Sequence, residues 1–259
     1  MKKMFAFILA LAMCLSLAAC SQPKELVYAV EAGSAGEEVA KANNFKTVSV
    51  ADQATALMEV QSGNAGAAII DLLMAGAMVG SGTSYPDIKI TDQKLNSELY
   101  GIGCRKGSDL ASFINSVLSK TYADGTMQQL AAKYGVQEAL VKQPADVQYQ
   151  ASASNSDVEY IKGKGKLIVG ITEFAPMDYH PAEGSTEWIG FDADMSRIVA
   201  KELGVEIEFI VIDWNNKVFE LDGKSIDVVW NGMTLTDAVK AAMECTNAYC
   251  ENAQVVVKK

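Results

Sequence analysis

Short apolar, β-branched runs recur along this chain, each followed by residues at helical spacing, and this alternation limits its folds more than any other feature. Strands are expected at 26–30, 47–50, 67–70 and 88–91, with helices at 53–61 and 72–79 between them. The first strand enters Ala32-Gly33-Ser34-Ala35-Gly36-Glu37, a turn opening a helix in which Ser34 and Glu37 have capping-box spacing. A strand at 100–104 and helices at 109–122 and 126–134 follow. Order resumes with a strand at 166–171, a helix at 193–203, a strand at 206–212, a helix near 217–221, a strand at 227–230, a helix at 237–243 and a strand at 253–258. Such strand-helix units bury a mainly parallel sheet between helices, so the expected fold class is α/β. Between the halves, 141–165 dissolves into Gln, Ala, Ser, Asn and Asp around Gln150-Ala151-Ser152-Ala153-Ser154, the composition of a linker.

The N-terminus reads as a targeting segment. Lys2 and Lys3 precede an apolar run at 4–17, and small residues then lead to Cys20. The run is too short for a stable membrane span. Leu17-Ala18-Ala19-Cys20 resembles the lipobox of bacterial lipoproteins, which implies a signal peptide at 1–19 and a lipid on Cys20; an ordinary secretory signal cleaved nearby is the other reading. Without residues 1–19 the chain carries 20 basic and 32 acidic side chains, a balance that argues against nucleic acid as a partner. His180 is the single histidine, which leaves no histidine cluster for a metal and no Ser-His-Asp or Cys-His arrangement elsewhere. Followed by Pro181, it reads as a loop residue. No cofactor is expected. With Cys14 in the signal segment and Cys20 reserved for lipid, Cys104, Cys245 and Cys250 remain. Cys245 and Cys250 could close a short disulfide loop outside the cytoplasm, or serve as buried thiols.

Several runs carry a family resemblance. Lys166-Leu167-Ile168-Val169-Gly170, Gly190-Phe191-Asp192-Ala193-Asp194-Met195, Asp213-Trp214 and Asn231-Gly232-Met233-Thr234-Leu235-Thr236 resemble the first lobe of the extracellular solute-binding proteins that deliver polar amino acids to ABC importers (family 3). Val30-Glu31-Ala32-Gly33-Ser34-Ala35-Gly36, Ile69-Ile70-Asp71 and Tyr100-Gly101-Ile102-Gly103-Cys104-Arg105 resemble its second lobe. The resemblance implies a two-lobed periplasmic-binding-protein-like clamp, each lobe a mainly parallel sheet flanked by helices, that closes on a small ligand. The lobe order is reversed relative to the family, so the chain reads as a circular permutation, with a fragment of a tandem array as the competing reading. The expected domains are a second-lobe-like unit at 20–98, a hinge strand and helices packing on the first lobe at 99–140, the linker at 141–165, and a first-lobe-like unit at 166–259.

The same resemblance assigns candidate ligand contacts. Asp71, which follows an apolar strand, would receive the ligand's ammonium, although a helix N-cap is its plain local reading. Ser34, Ala35 and Gly36 would offer helix-opening amides to a carboxylate. Glu31 sits where some relatives place a lysine. Opposite them, Phe174, Trp214, Asn231, Gly232 and Thr234 would form the other wall, with Glu173 a further candidate displaced by one residue from the family pattern. Asp192 and Asp194 suggest a metal pair at first sight but read better as helix capping and surface charge. Val239 replaces the family's carboxylate-gripping arginine, and Lys240 points about 100° away on the helix. The expected cleft has therefore lost positive charge and favours a cationic or amine-bearing ligand. The expected function is a lipid-anchored, non-enzymatic binding protein that presents an amino acid or related amine to an ABC permease. The alternatives are an enzyme of the cyclohexadienyl dehydratase type, with Glu173 as its acid, and an extracellular ligand sensor.

Overall fold

Tyr28, Ala29 and Val30 of β1 (Val27–Glu31) and all five residues of β3 (Ala67–Asp71) are buried, as strands covered on both faces must be. These and the other elements come from a computed structural model that describes residues 25–259 apart from 153 and 155. The signal segment 1–19 and Cys20 lie outside the described residues, as do Ala153 and Asn155 of the linker. β1 pairs in parallel with β2 (Lys46–Val50) and with β3. Between them run α1 (Ala35–Ala42) and α2 (Gln53–Ser62), each started by a side-chain cap. Ser34 accepts from the Glu37 N–H at 3.1 Å, Glu37 reaches back to the Gly33 N–H, and Asp52 accepts from the Thr55 N–H. After β3, α3 (Leu72–Met78) leads through a loop to β4 (Lys89–Lys94).

The chain then leaves this β3 lobe through β5 (Glu98–Tyr100) and enters a second sheet at β6 (Gly103–Cys104). Two helices, α4 (Leu110–Ala123) and α5 (Thr126–Tyr134), follow, and then α6 (Asp157–Lys164). The second lobe is completed by β7 (Lys166–Ile171), α7 (Phe191–Leu203), β8 (Glu206–Val211), α8 (Lys217–Asp222), β9 (Val228–Val229), α9 (Asp237–Ala242) and β10 (Glu244–Cys245). β7 pairs in parallel with β8 and β9, while β6 runs antiparallel to β9 and β10. The chain finally returns through β11 (Cys250–Asn252), antiparallel to β5, and adds β12 (Gln254–Lys258) between β3 and β4 of the first sheet. Two five-stranded sheets are thus joined by a two-stranded ribbon, β5 with β11.

Three expectations need correction. The expected linker at 141–165 ends in the α6 helix, whose Val158 and Ile161 are fully buried against α4 and β7. Its polar residues hid a two-residue apolar face too small to show as a pattern. The unit at 166–259 does not stay in one lobe, because β11 and β12 cross over and β12 belongs to the β3 sheet. The expected strand 100–104 is two strands, parted at Gly101, where a Cβ would lie 2.6 Å from Leu235 Cδ2. Val257 faces Ala68 on one side of β3 and Ala29 faces it on the other, so residues 26 and 259 reach the same end of the sheet. There Lys259 donates to Gln61 O, and Leu26 lies over Gly66.

The segment preceding α6 is anchored by one side chain. Asp109 accepts from Tyr149 Oη, the Ser152 N–H and Ser156 Oγ through Oδ2, and from the Val158 N–H through Oδ1. Burial pushes its carboxyl upward, but these four donors outweigh that and hold it below the usual carboxylate range. Asp109→Ala should cost about 2 kcal/mol, the scale of hydrogen bonds to a charged acceptor. Hydrogen exchange should then rise in 149–158 and leave β3 protected. In the wild type this contribution should persist down through pH 4 and disappear only as pH falls through the depressed value.

Candidate functional site

A cavity of about 230 Å³ lies between the two sheets. It is lined at the ends of strands, where ligands of open α/β sheets bind. The β3 lobe contributes Glu31 at the end of β1, Ser34 and Ala35 at the start of α1, Gln53 at the start of α2, and Asp71 at the end of β3. Facing them are Phe174 beyond β7, Trp214 and Lys217 beyond β8, Asn231, Gly232, Met233 and Thr234 beyond β9, and Val239 on α9. Nine of the residues singled out from the sequence are therefore neighbours here. Gly36 stands behind the wall, where a Cβ would meet Gln254 Oε1 at 2.9 Å.

Asp71 is buried and turned away from the helix it precedes, making no capping bond to α3. The capping task falls to the hinge ribbon: Asn252 Oδ1 accepts from the Leu73 N–H, and Ala253 O accepts from the Leu72 N–H. The Asp71 carboxylate instead accepts from Tyr100 Oη at 2.6 Å and from Asn252 Nδ2 on one oxygen, and from Gln53 Nε2 on the other. Three donors fill three of roughly four lone-pair positions, and the vacant one belongs to the oxygen that Gln53 touches. Burial first, and then the charge of Glu98, push the Asp71 carboxyl well above the usual range, against the lowering by Tyr100 and Gln53. Glu31 is raised for the same first reason, with Asp71 next, and its Oε1 is buried without a partner.

The opposite wall is fixed by packing. Asn231 Nδ2 donates to Thr172 Oγ1, and its Oδ1 accepts from the Thr172 N–H, which ties the β9 exit to the β7 exit. Gly232 adopts φ +58, and a Cβ there would lie 2.5 Å from Phe174 Cε1, so glycine is what lets the phenyl ring lie against the strand end. Thr234 donates to Glu98 Oε1, which also accepts from Asn252 and Gln254, so the wall is coupled to the hinge.

The expected loss of positive charge is overturned by Lys217. Val239 does line the cavity, and Lys240 pairs with Asp237 outside it. But Lys217, buried to 8% exposure, brings its ammonium into the cleft and donates to Gly33 O at 2.9 Å and Trp214 O at 3.1 Å. Burial pushes its pKa down, with Glu31 the first of the acidic groups opposing that. In the sequence it is one lysine in a polar helix start, and nothing local marks it as buried. Gln53 and Tyr100 were likewise missed, since neither type at those positions signals more than capping or core.

Other expectations are redirected. Glu173 is outside the cleft: its carboxylate accepts from the His180 N–H at 2.9 Å and contacts Nδ1 at 2.7 Å, and it is 40% exposed. His180 is in a loop, as expected, where it also packs tilted against Trp188 with ring centroids 3.9 Å apart. Asp194 is the surface-type carboxylate expected, paired with Lys133 and Arg197. Asp192 is neither cap nor surface, because Gly190 holds the N-cap position and Asp192 is fully buried, accepting from Tyr249 Oη and the Gly232 N–H at 2.7 Å each. Burial raises it to about 7, and burial first, then the Asp192 charge, raises Asp178, whose two oxygens are buried without partners. Cys104, Cys245 and Cys250 are free thiols. Cys245 faces Gly103 and Cys250 faces Tyr100 on separate ladders, which holds the expected disulfide pair apart. Among the described residues no cluster of three or more His, Cys, Asp or Glu is arranged to hold a metal.

Residues 167–259 match the family of bacterial extracellular solute-binding proteins, family 3. The chain is 32% identical over 108 residues to the arginine-binding extracellular protein ArtP of Bacillus subtilis, covering 41% of this chain and 40% of that one. It is 34% identical over 95 residues to a probable histidine-binding protein of Neisseria gonorrhoeae, covering 37% and 35%. Among solved structures, an ancestral cyclohexadienyl dehydratase aligns at 30% identity over 35% of this chain and 37% of its own, with a TM-score of 0.32. The matches span less than half the length of these relatives.

Four buried carboxyl groups with raised pKa give the fold a definite pH response. Glu31, Asp71, Asp178 and Asp192 hold protons in the folded state at pH values where the unfolded chain has released them. Their contribution is therefore complete below about pH 4, the unfolded carboxyl range, and is lost as pH rises through the folded values. Thermal unfolding should show a higher Tm at pH 5 than at pH 8, and Asp192→Asn should flatten the slope. A Tm that climbs from pH 5 to pH 8 would contradict this assignment.

Proposed function

We propose, from the premise that residues 167–259 belong to family 3 of the bacterial extracellular solute-binding proteins, that this chain is a two-lobed binding protein for an amino acid or related small amine. The observation that carries the reading is that Asp71, with one acceptor position unfilled, lines an interlobe cavity of amino-acid size opposite Trp214 and Phe174. A carboxylate held this way in low dielectric favours a cationic partner. The captured solute would be handed to an ABC permease. Anchoring would come from a lipid on Cys20 behind the signal segment 1–19, and no helix among the described residues is long and apolar enough to cross a membrane.

In this reading the chain is a circular permutation of the family order. The meeting of residues 26 and 259 at one end of the β3 sheet supports it, since old termini that lie together can be joined and new ones opened elsewhere. A binding role is favoured over an enzyme because Glu173, the acid expected for a dehydratase, is turned out of the cleft toward His180. Glu31 is the buried carboxyl that a dehydratase on this scaffold would use instead, and turnover of prephenate or arogenate by the wild type would favour that reading.

A thermal-shift screen of amino acids, polyamines and amino-acid amides tests the binding role. A ligand at about 1,000 times its Kd should stabilise by about 4 kcal/mol. Asp71→Asn should remove the response while leaving a cooperative unfolding transition. No shift from any of these classes would refute the proposal. For the anchor, Cys20→Ala should move the protein from the membrane fraction to the soluble one, and unchanged membrane association would remove the lipid from the account.

A further inference from the structure

Lys217 opens α8, directly after the turn that carries Trp214, and its ammonium is placed by both lobes. One N–H goes to Trp214 O in its own lobe. A second crosses the cleft to Gly33 O, the residue before the Ser34 cap of α1. The lobes are in tight contact there: Gly33 has φ +72, and a Cβ on it would lie 2.8 Å from Asn215 Cα. An ammonium has three N–H donors, so one is left over. Lys217 lines the cavity beside Ser34 and Ala35, the start of a helix whose first amides point the same partial charge at the same space.

The charge of this group feels Glu31, Glu38 and Asp213 but has no direct ion-pair partner. No Asp or Glu among the described residues forms an ion pair within 4.0 Å of the Lys217 ammonium, which is buried and lies over the Trp214 ring, 5.0 Å from its centroid. It is also the single lysine or arginine among the residues lining the cavity. A buried ammonium that donates to two carbonyl oxygens and rests on an aromatic face still lacks a directly paired anion, and the cost of its desolvation falls when one binds. On the facing wall of the same cavity, Glu31, near enough to act on the Lys217 charge, has its Oε1 buried without a partner, and Asp71 keeps one vacant acceptor position. The cavity therefore has a cation with a spare donor on one wall and carboxyl groups with spare acceptors on the other.

We propose that Lys217 is the cleft's carboxylate-binding residue, engaging an anionic group of the bound ligand together with the opening amides of α1. The inference rests on the binding role proposed above and adds to it that the ligand carries a carboxylate as well as an amine. Because the second hydrogen bond of Lys217 reaches Gly33 across the cleft, the ammonium takes this position only when the lobes are together, so recognition of the carboxylate and closure occur as one event.

The test compares each standard L-amino acid with its own α-carboxamide by isothermal titration, using the full described chain and three variants. In the wild type, the acid that binds should do so at least tenfold more tightly than its amide. Lys217→Met should reduce that ratio to within threefold by weakening the acid alone. Lys217→Arg should keep a ratio above tenfold. Should the Met variant fold poorly, Lys217→Gln, which can still donate to Gly33 O and Trp214 O without the charge, should give the same loss of discrimination. A lysine serving only as a latch would instead weaken acid and amide alike, which overturns the proposal. Equal binding of acid and amide to the wild type, or a ratio retained in both Lys217→Met and Lys217→Gln, overturns it while leaving the binding role intact. A wild type that binds neither acids nor amides refutes the binding role and this inference together.

Discussion

The Asp71 carboxylate is the point on which the architecture turns. A buried carboxyl group must be hydrogen-bonded, and its donors come from three separate parts of the chain: Gln53 at the start of α2, Tyr100 on β5 and Asn252 on β11. The last two are the hinge ribbon itself. The group that faces the cavity is thus held by the strands about which the lobes would move, and Glu98 extends the same network to Thr234 on the opposite wall. A ligand that takes the vacant position on Asp71 acts on hinge and wall at once. The network also explains a local oddity: α3 is capped by Asn252 from 179 residues away in the chain, because the residue in its own N-cap position is committed elsewhere.

Much of this was legible in the sequence, and the failures have physical causes. The two sheets follow from strand-helix alternation, and the fully apolar 67–70 run could be little other than a central strand. The Ser34 cap and Glu37 appear where their spacing put them. What the pattern could not show was where strands stop belonging to one sheet. The breaks at Gly101 and Ala253 depend on contacts with Leu235 and Leu72, distant in sequence or on another element. The α6 helix was hidden because only Val158 and Ile161 of its eight residues are buried apolar groups.

The site divides along a similar line. Residues at strand ends that fall within the motifs of the family resemblance, such as Asp71, Trp214 and Gly232, were found through that resemblance. Residues whose role comes from long side chains crossing space were not. Lys217 reads as solvated charge in the sequence, and only the approach of Gly33 from the other lobe makes it a buried cation. Glu173 failed in the opposite sense, since the nearby His180 draws it out of the cleft. The cavity consequently carries both signs, three acidic side chains (Glu31, Glu38 and Asp71) and one ammonium, and a purely cationic ligand leaves the ammonium unanswered. This balance replaces the simpler view of an acidic cleft that the valine at 239 had suggested.

The central claim is that ligand binds between the lobes against Trp214. The three tryptophans make that directly measurable, because Trp188 sits beside His180 and Trp230 is buried in the β7 lobe, while Trp214 alone lines the cavity. Fluorine NMR of protein labelled with 5-fluorotryptophan, titrated with whichever amino acid stabilises it, should shift the Trp214 resonance most, with smaller changes at the other two. A saturable shift confined to Trp188, with Trp214 unmoved, would place the ligand outside this cleft and contradict the account.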